Sequence, residues 1–248
     1  MLQLELFEDT PGNQKDAQDF YLSNTDEPGE LQMPAGLATL YELSADAFYA
    51  ALYADMSELP IKKEIARFIE NVCKAANSIT INGSSGGTIE ARAAAARAAF
   101  DRGDPDALVV LKTAYKVQHE IHRLTGLLRF SPDTSGVYVA RCSPDYCILP
   151  ALAEHFTLRF GETPWTIIDE KRGLCLSREK GREARLGRIR NGFLSDSPAS
   201  PAPRAPLDPW EDLWRLYHRS VNIEAKKNLK LQRQFMPERY QKYLTELK

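Results

Sequence analysis

Apolar residues recur at helical spacing along several stretches of the chain. After Pro60, the residues Ile61, Ile65, Phe68, Ile69, Val72, Cys73 and Ala76 fall on one side of a 3.6-residue repeat. Lys62, Lys63, Glu64, Arg67, Glu70 and Lys74 take the other side, which predicts an amphipathic helix opening near Ser57 and Pro60. Val110, Ala114, Val117, Ile121 and Leu124 form a second stripe, with Asp104 as cap and Pro105 in the first turn. A companion stripe of Leu108, Leu111, Tyr115 and His122 predicts that this helix is covered on two sides. Leu152, Phe156 and Phe160, spaced by four after Pro150, predict a third helix. Ser44 is placed to cap a helix running to Met56, whose Phe48, Ala51 and Leu52 share a face. The alanine-rich IEARAAAARAAF, closed by Gly103, reads as a helix of high propensity. Near the end, Asp208, Pro209 and Glu211 start a helix with Trp210, Leu213, Trp214, Tyr217 and Val221 as its apolar face.

Elsewhere the pattern shortens. LATLYEL from Leu37 reads as a strand, and GLLRF and GVYVARC on either side of SPDTS read as a β-hairpin. PWTIIDEKRGLCLSREKGREARLGRI alternates enough for two or three antiparallel strands. The expected fold is α+β, an antiparallel sheet flanked by several helices, with a helical C-terminal segment after a Pro-rich linker. Four regions follow: an acidic arm over 1–36, a core over 37–195, a Pro/Ser/Ala-rich linker over 196–207, and a basic helical segment over 208–248 packing on the core. The NGSSGG run at 82–87 is read as a flexible break.

With 248 residues, 43% of them hydrophobic, the chain can fill a real core. Its net charge of −2 argues against general coating of nucleic acid and turns attention to local charge. That charge is uneven. Glu5, Glu8, Asp9, Asp16, Asp19, Asp26, Glu27, Glu30, Glu42 and Asp46 face Lys15 alone, whereas the last stretch is basic, as is the run from Lys171 to Arg190. The start of the chain lacks a basic region followed by an apolar one, and no apolar run reaches the roughly 18 residues of a membrane span, so a cytoplasmic location without membrane contact is expected. Cys73, Cys142, Cys147 and Cys175 are scattered, as reduced thiols are.

SVNIEAKKNLKLQRQFMPERYQKYLTE, together with HRLTGLLRF (His122 to Phe130), GVYVARCSPDYCILPALAEHF (Gly136 to Phe156) and PWTIID (Pro164 to Asp169), resembles in pattern and order a bacterial family assigned to DNA metabolism and repair. The resemblance covers about Leu37 to the end. It implies a setting beside radical-SAM DNA modification or repair proteins, and in some bacteria fusion to uracil-DNA-glycosylase-like domains. The chain departs from the family pattern in its acidic arm, its Gly/Ser break and its DYC at 145–147. The implied function is that of a DNA repair or modification accessory that binds nucleic acid, a radical-SAM partner enzyme, or both. A stand-alone enzyme acting on a nucleotide or damaged base, and a protein-only scaffold built on Trp210, Trp214 and Tyr217, are the alternatives.

The candidate nucleic-acid contacts are Lys226, Lys227, Asn228, Lys230, Gln232, Arg233, Gln234, Arg239 and Tyr240. Cations neutralise phosphates, amides reach base edges and rings stack on unpaired bases. The plainer reading is a solvated basic tail docked through Leu229, Leu231, Phe235 and Met236. His122, Arg123 and Arg129 are candidates for an anion pocket, and His122, His155 and Asp145 for acid/base chemistry. His119 and His122 stand three apart in HEIH, without the HExxH spacing, so no metal is expected. The cysteine spacing fits no iron–sulfur or zinc motif, no phosphate-binding loop is present, and no cofactor is expected.

Overall fold

A computed structural model of the chain describes residues 34, 36–79, 89–190, 193–194, 209–223, 226 and 228–247. The acidic arm as far as residue 33, the NGSSGG run and the 196–207 linker lie outside the described residues. The fold is α+β, and the chain divides into two compact units. One comprises 1–120 and 145–148, the other 121–144 and 149–248.

The first unit is helical. Leu37–Leu43 (α1), expected as a strand, is a helix: its leucines stand at Leu37, Leu40 and Leu43, a spacing of three that puts all of them on one buried side. Gly36 begins it with φ of 84°, a backbone state in which a side chain is strained. Ala45–Met56 (α2) is capped by Ser44, whose hydroxyl accepts from the Ala47 N–H at 3.3 Å, as its sequence predicts. This helix is buried nearly all round, from Ala47 to Ala54. Lys62–Asn77 (α3) buries Ile65, Phe68, Ile69, Val72 and Ala76, the predicted stripe. Ile89–Ala99 (α4) lays Ala91, Ala94, Ala95 and Ala99 inward and packs on α3, small side chains allowing the helices to approach closely. Pro105–Leu127 (α5) starts where Asp104 accepts from the Asp106 and Ala107 N–H groups, and Arg67 grips Asp106 through two bonds of 2.7 and 2.8 Å. Its first stripe is largely buried as predicted. The second is not: Leu108 and Leu111 are half-buried, Tyr115 is 50% exposed and His122 is exposed, so one face of the helix carries the burial.

The second unit holds the sheet, whose strands lie in the order β1-β2-β3-β4-β5-β6. These are Ser131–Pro132, Tyr138–Cys142, Trp165–Asp169, Leu174–Arg178, Arg185–Arg190 and Phe193–Leu194. The predicted hairpin is short. Because α5 continues through Gly126 and Leu127, only Ser131 and Pro132 remain to pair with β2. Asp133 closes that turn, accepting from the Ser135 N–H, the Ser135 hydroxyl and the Val137 N–H. The sheet is also not wholly antiparallel. Leu149–Phe160 (α6) returns the chain so that β3 runs parallel to β2, with Tyr138 opposite Trp165 and Cys142 opposite Asp169. The β3 strand is buried at all five positions, as a strand between two neighbours and under a helix must be. Phe130, Phe156, Phe160, Tyr138 and Trp165 form the aromatic cluster beneath α6, with ring centroids 4.7 to 6.5 Å apart.

Candidate nucleic-acid interface

The end of the chain is built from Pro209–Val221 (α7), Leu229–Phe235 (α8), Glu238–Gln241 (α9) and a 3₁₀ turn at Thr245–Leu247. Two parts of it behave differently. From Tyr240 onward it is anchored: Tyr240 is 2% exposed, Leu244 0% and Thr245 7%. The α8 helix buries none of its residues.

The anchored part is held by side chains far away in sequence. The Glu246 carboxylate accepts two bonds from Arg129, at 2.6 and 3.2 Å, and the Trp214 indole N–H also donates to it. The Arg129 guanidinium lies 5.5 Å from the centre of the Trp214 ring and donates to the Gly126 carbonyl at 2.8 Å. Burial alone would raise the Glu246 carboxyl, but Arg129 and Trp214 outweigh it and hold it below the ordinary glutamate range. The guanidinium expected to bind an external anion therefore already holds one belonging to the chain. His122 is exposed on α5, and Arg123 beside it is half-buried.

A second anchor sits at the carboxyl ends of the parallel strands β2 and β3. The Tyr243 hydroxyl donates to Glu170 at 2.7 Å, and Arg141 and Lys242 approach the same carboxylate at 3.5 and 3.7 Å. Ser143 also bonds to Tyr243. Burial and the adjoining carboxylate push the Tyr243 phenol up, while Glu170, despite its burial, is held low by Tyr243, Lys242 and Arg141. Arg141, Ser143, Glu170 and Glu246 were not singled out from the sequence, and Tyr243 was read there only as a ring among the C-terminal cations. The available signal was that Glu170 directly follows PWTIID and that Tyr243 and Glu246 close the C-terminal signature.

The predicted nucleic-acid contacts divide accordingly. Lys226, Lys230, Arg233 and Gln234 are exposed; Arg233 faces Glu238 at 3.6 Å with both side chains largely in water, a weak tie. Gln232 is half-buried. Asn228 caps α8, its side-chain oxygen accepting from the Leu231 N–H at 3.0 Å. Tyr240 is buried and so offers no ring face, a correction to its expected role in stacking, and the Arg239 guanidinium lies 4.6 Å from the centre of its ring. Lys227 lies outside the described residues.

The acid/base candidates sit in unlike surroundings. His155, on α6, meets the Phe156 ring edge-on, and burial, then Arg159, lowers its pKa; its Nε2 is buried and unpaired among the described residues. Asp145 belongs to the first unit, where its backbone N–H and that of Tyr146 both donate to the Glu120 carboxylate at 2.9 Å. His119 is exposed, edge-on to Tyr115. The other buried carboxylates are occupied by turns: Asp133 as above, and Asp169 by the Lys171 and Arg172 N–H groups and the Arg172 guanidinium. No three His, Cys, Asp or Glu side chains gather as ligands among the described residues.

No helix among the described residues is long and apolar enough to cross a membrane. Residues 88–246 match the model of a family described as a domain of unknown function, DUF4130. No curated protein and no solved structure matches the chain.

Proposed function

Because the chain belongs to the DUF4130 family, a domain of unknown function, and so inherits no reaction from it, we propose that it is an accessory protein of DNA repair or modification that binds nucleic acid through the basic segment from Lys226 to Arg233. One observation carries this reading. The α8 helix contributes nothing to the core, and its cations, with Lys226 before it, stand in water. A seven-residue helix is marginal by itself, so cations held on one are better placed to meet a ligand than to stabilise the fold. Each phosphate they neutralise should add about 0.7 to 0.9 to the dependence of log affinity on log salt. The test reverses Lys226, Lys227, Lys230 and Arg233 to Glu in the full chain and measures DNA binding across a salt series. Lost affinity and a flatter slope are expected; unchanged binding sinks the assignment.

A second reading has its own support. Leu213, Leu216, Leu229 and Leu231 are 50 to 64% exposed among these cations, a composition that also fits the core of a protein interface. The partner would then be the radical-SAM enzyme that the resemblance implies. Co-purification with that enzyme, lost in Leu231→Glu but kept in the charge reversal, would favour it. A stand-alone enzyme using His122 or His155 has no such observation behind it among the described residues.

A further inference from the structure

We propose that the Trp214–Tyr217 ring pair on α7 is a stacking platform for unpaired bases, so that the ligand is single-stranded nucleic acid. This rests on the nucleic-acid reading above and names its substrate class. The rings stand 5.7 Å apart, tilted by 32°, and are 39% and 54% exposed.

The platform is fixed before any ligand arrives. The Trp214 indole N–H is bound by Glu246, its ring lies beside the Arg129 guanidinium, and Glu246 is itself clamped by Arg129. Next to Trp214, Arg215 donates from Nε to the Thr245 carbonyl at 3.1 Å. An aromatic ring tethered this firmly has lost its rotamer freedom already, so a planar partner can stack without ordering it. Duplex bases hide their faces in the stack; only unpaired bases can use such a surface.

Charge selects the occupant. From His218 to Gln234 the sequence places Arg219, Lys226, Lys227, Lys230 and Arg233 against Glu224 alone, which suits a polyanion whose phosphates run on from the stacked base. An apolar peptide would use the rings but leave those cations without a counterpart. The α7 acids, Glu211 and Asp212, lie at its opposite end, and Asp212 is 3.5 Å from Arg215.

The test compares fluorescence anisotropy of the full chain with a labelled 20-nucleotide oligothymidine, the same strand with abasic sites, and a 20-base-pair duplex. Tyr217→Leu keeps apolar bulk and removes the ring; Tyr217→Phe keeps the ring. Tyr217→Leu should weaken oligothymidine binding by roughly five- to a hundredfold and leave duplex binding and the melting temperature unchanged. Tyr217→Phe should bind like the parent, and the abasic strand should bind the parent as weakly as oligothymidine binds Tyr217→Leu. Salt-sensitive binding that ignores Tyr217→Leu, or that does not distinguish the abasic strand, overturns the platform while leaving the basic segment standing. No binding of any strand at low salt overturns both.

Discussion

Glu246→Ala removes a carboxylate on which Arg129 and Trp214 converge. A fully exposed ion pair of this kind would contribute about 0–1 kcal/mol. Here the Glu246 side chain is 5% exposed and Arg129 23%, and deleting one member of a buried pair costs about 3–5 kcal/mol. Arg129 keeps some water and its bond to the Gly126 carbonyl, so a cost of about 2–3 kcal/mol is expected. The loss should be local. Amide exchange at Tyr243 and Leu244, whose N–H groups donate to the Tyr240 and Gln241 carbonyls, should accelerate before exchange in β3 does. Arg129→Met should cost a similar amount, and Arg129→Met with Glu246→Leu should recover most of it, because apolar replacements of both partners leave no uncompensated charge. If Glu246→Ala stays within about 0.5 kcal/mol of the parent, or the two single effects merely add, the pair does not hold the terminus. The fixed orientation of Trp214 would fall with it.

Acidification should undo the same anchors. Glu170 and Glu246 are held below the ordinary glutamate value of 4.5 in the fold, so their contribution is complete above that value and fades as pH falls through their lowered values. His155, depressed from 6.5 by burial and Arg159, acts earlier, its neutral form being favoured by the fold, and His155→Phe should flatten the part of the stability profile just below pH 6.5. Tryptophan emission and melting across pH 7 to 3 would check both windows; a flat profile through them would contradict the assignment. Alkylation at pH 8 should label half-exposed Cys73 first and Cys175 last, since burial pushes the Cys175 thiol up to about 11. Equal rates at the two sites, read by mass spectrometry, would show that the sheet opens more readily than its packing implies.

Helices with long apolar stripes were legible because burial follows their period, as in Ile65 to Ala76 and Val110 to Leu124. Caps were legible for the same local reason at Ser44 and Asp104. LATLYEL misled because seven residues rich in leucine suit either element, and only the spacing of three, rather than two, separates them. The parallel pairing of β2 and β3 was written as strand, helix, strand, but the SPDTS turn drew attention to a hairpin that α5 mostly consumes. Periodicity carries no information on the Arg129–Glu246 pair, whose members are 117 residues apart. The basic segment was visible as composition. Which of its members face water was not: whether Tyr240 packs and Phe235 does not depends on where α9 lands.

The segment shared with the family and the segment that folds together have different borders. The match begins at residue 88, at the threshold of α4, whose Ala91, Ala94, Ala95 and Ala99 lie against α3. A fragment cut at 88–246 would strip away α1 to α3 and turn that alanine face into exposed, adhesive surface. Cutting after residue 120 fares no better, because the chain comes back at 145–148 to satisfy Glu120. The borders of the matched region are therefore not places where this chain can be cut without baring apolar surface.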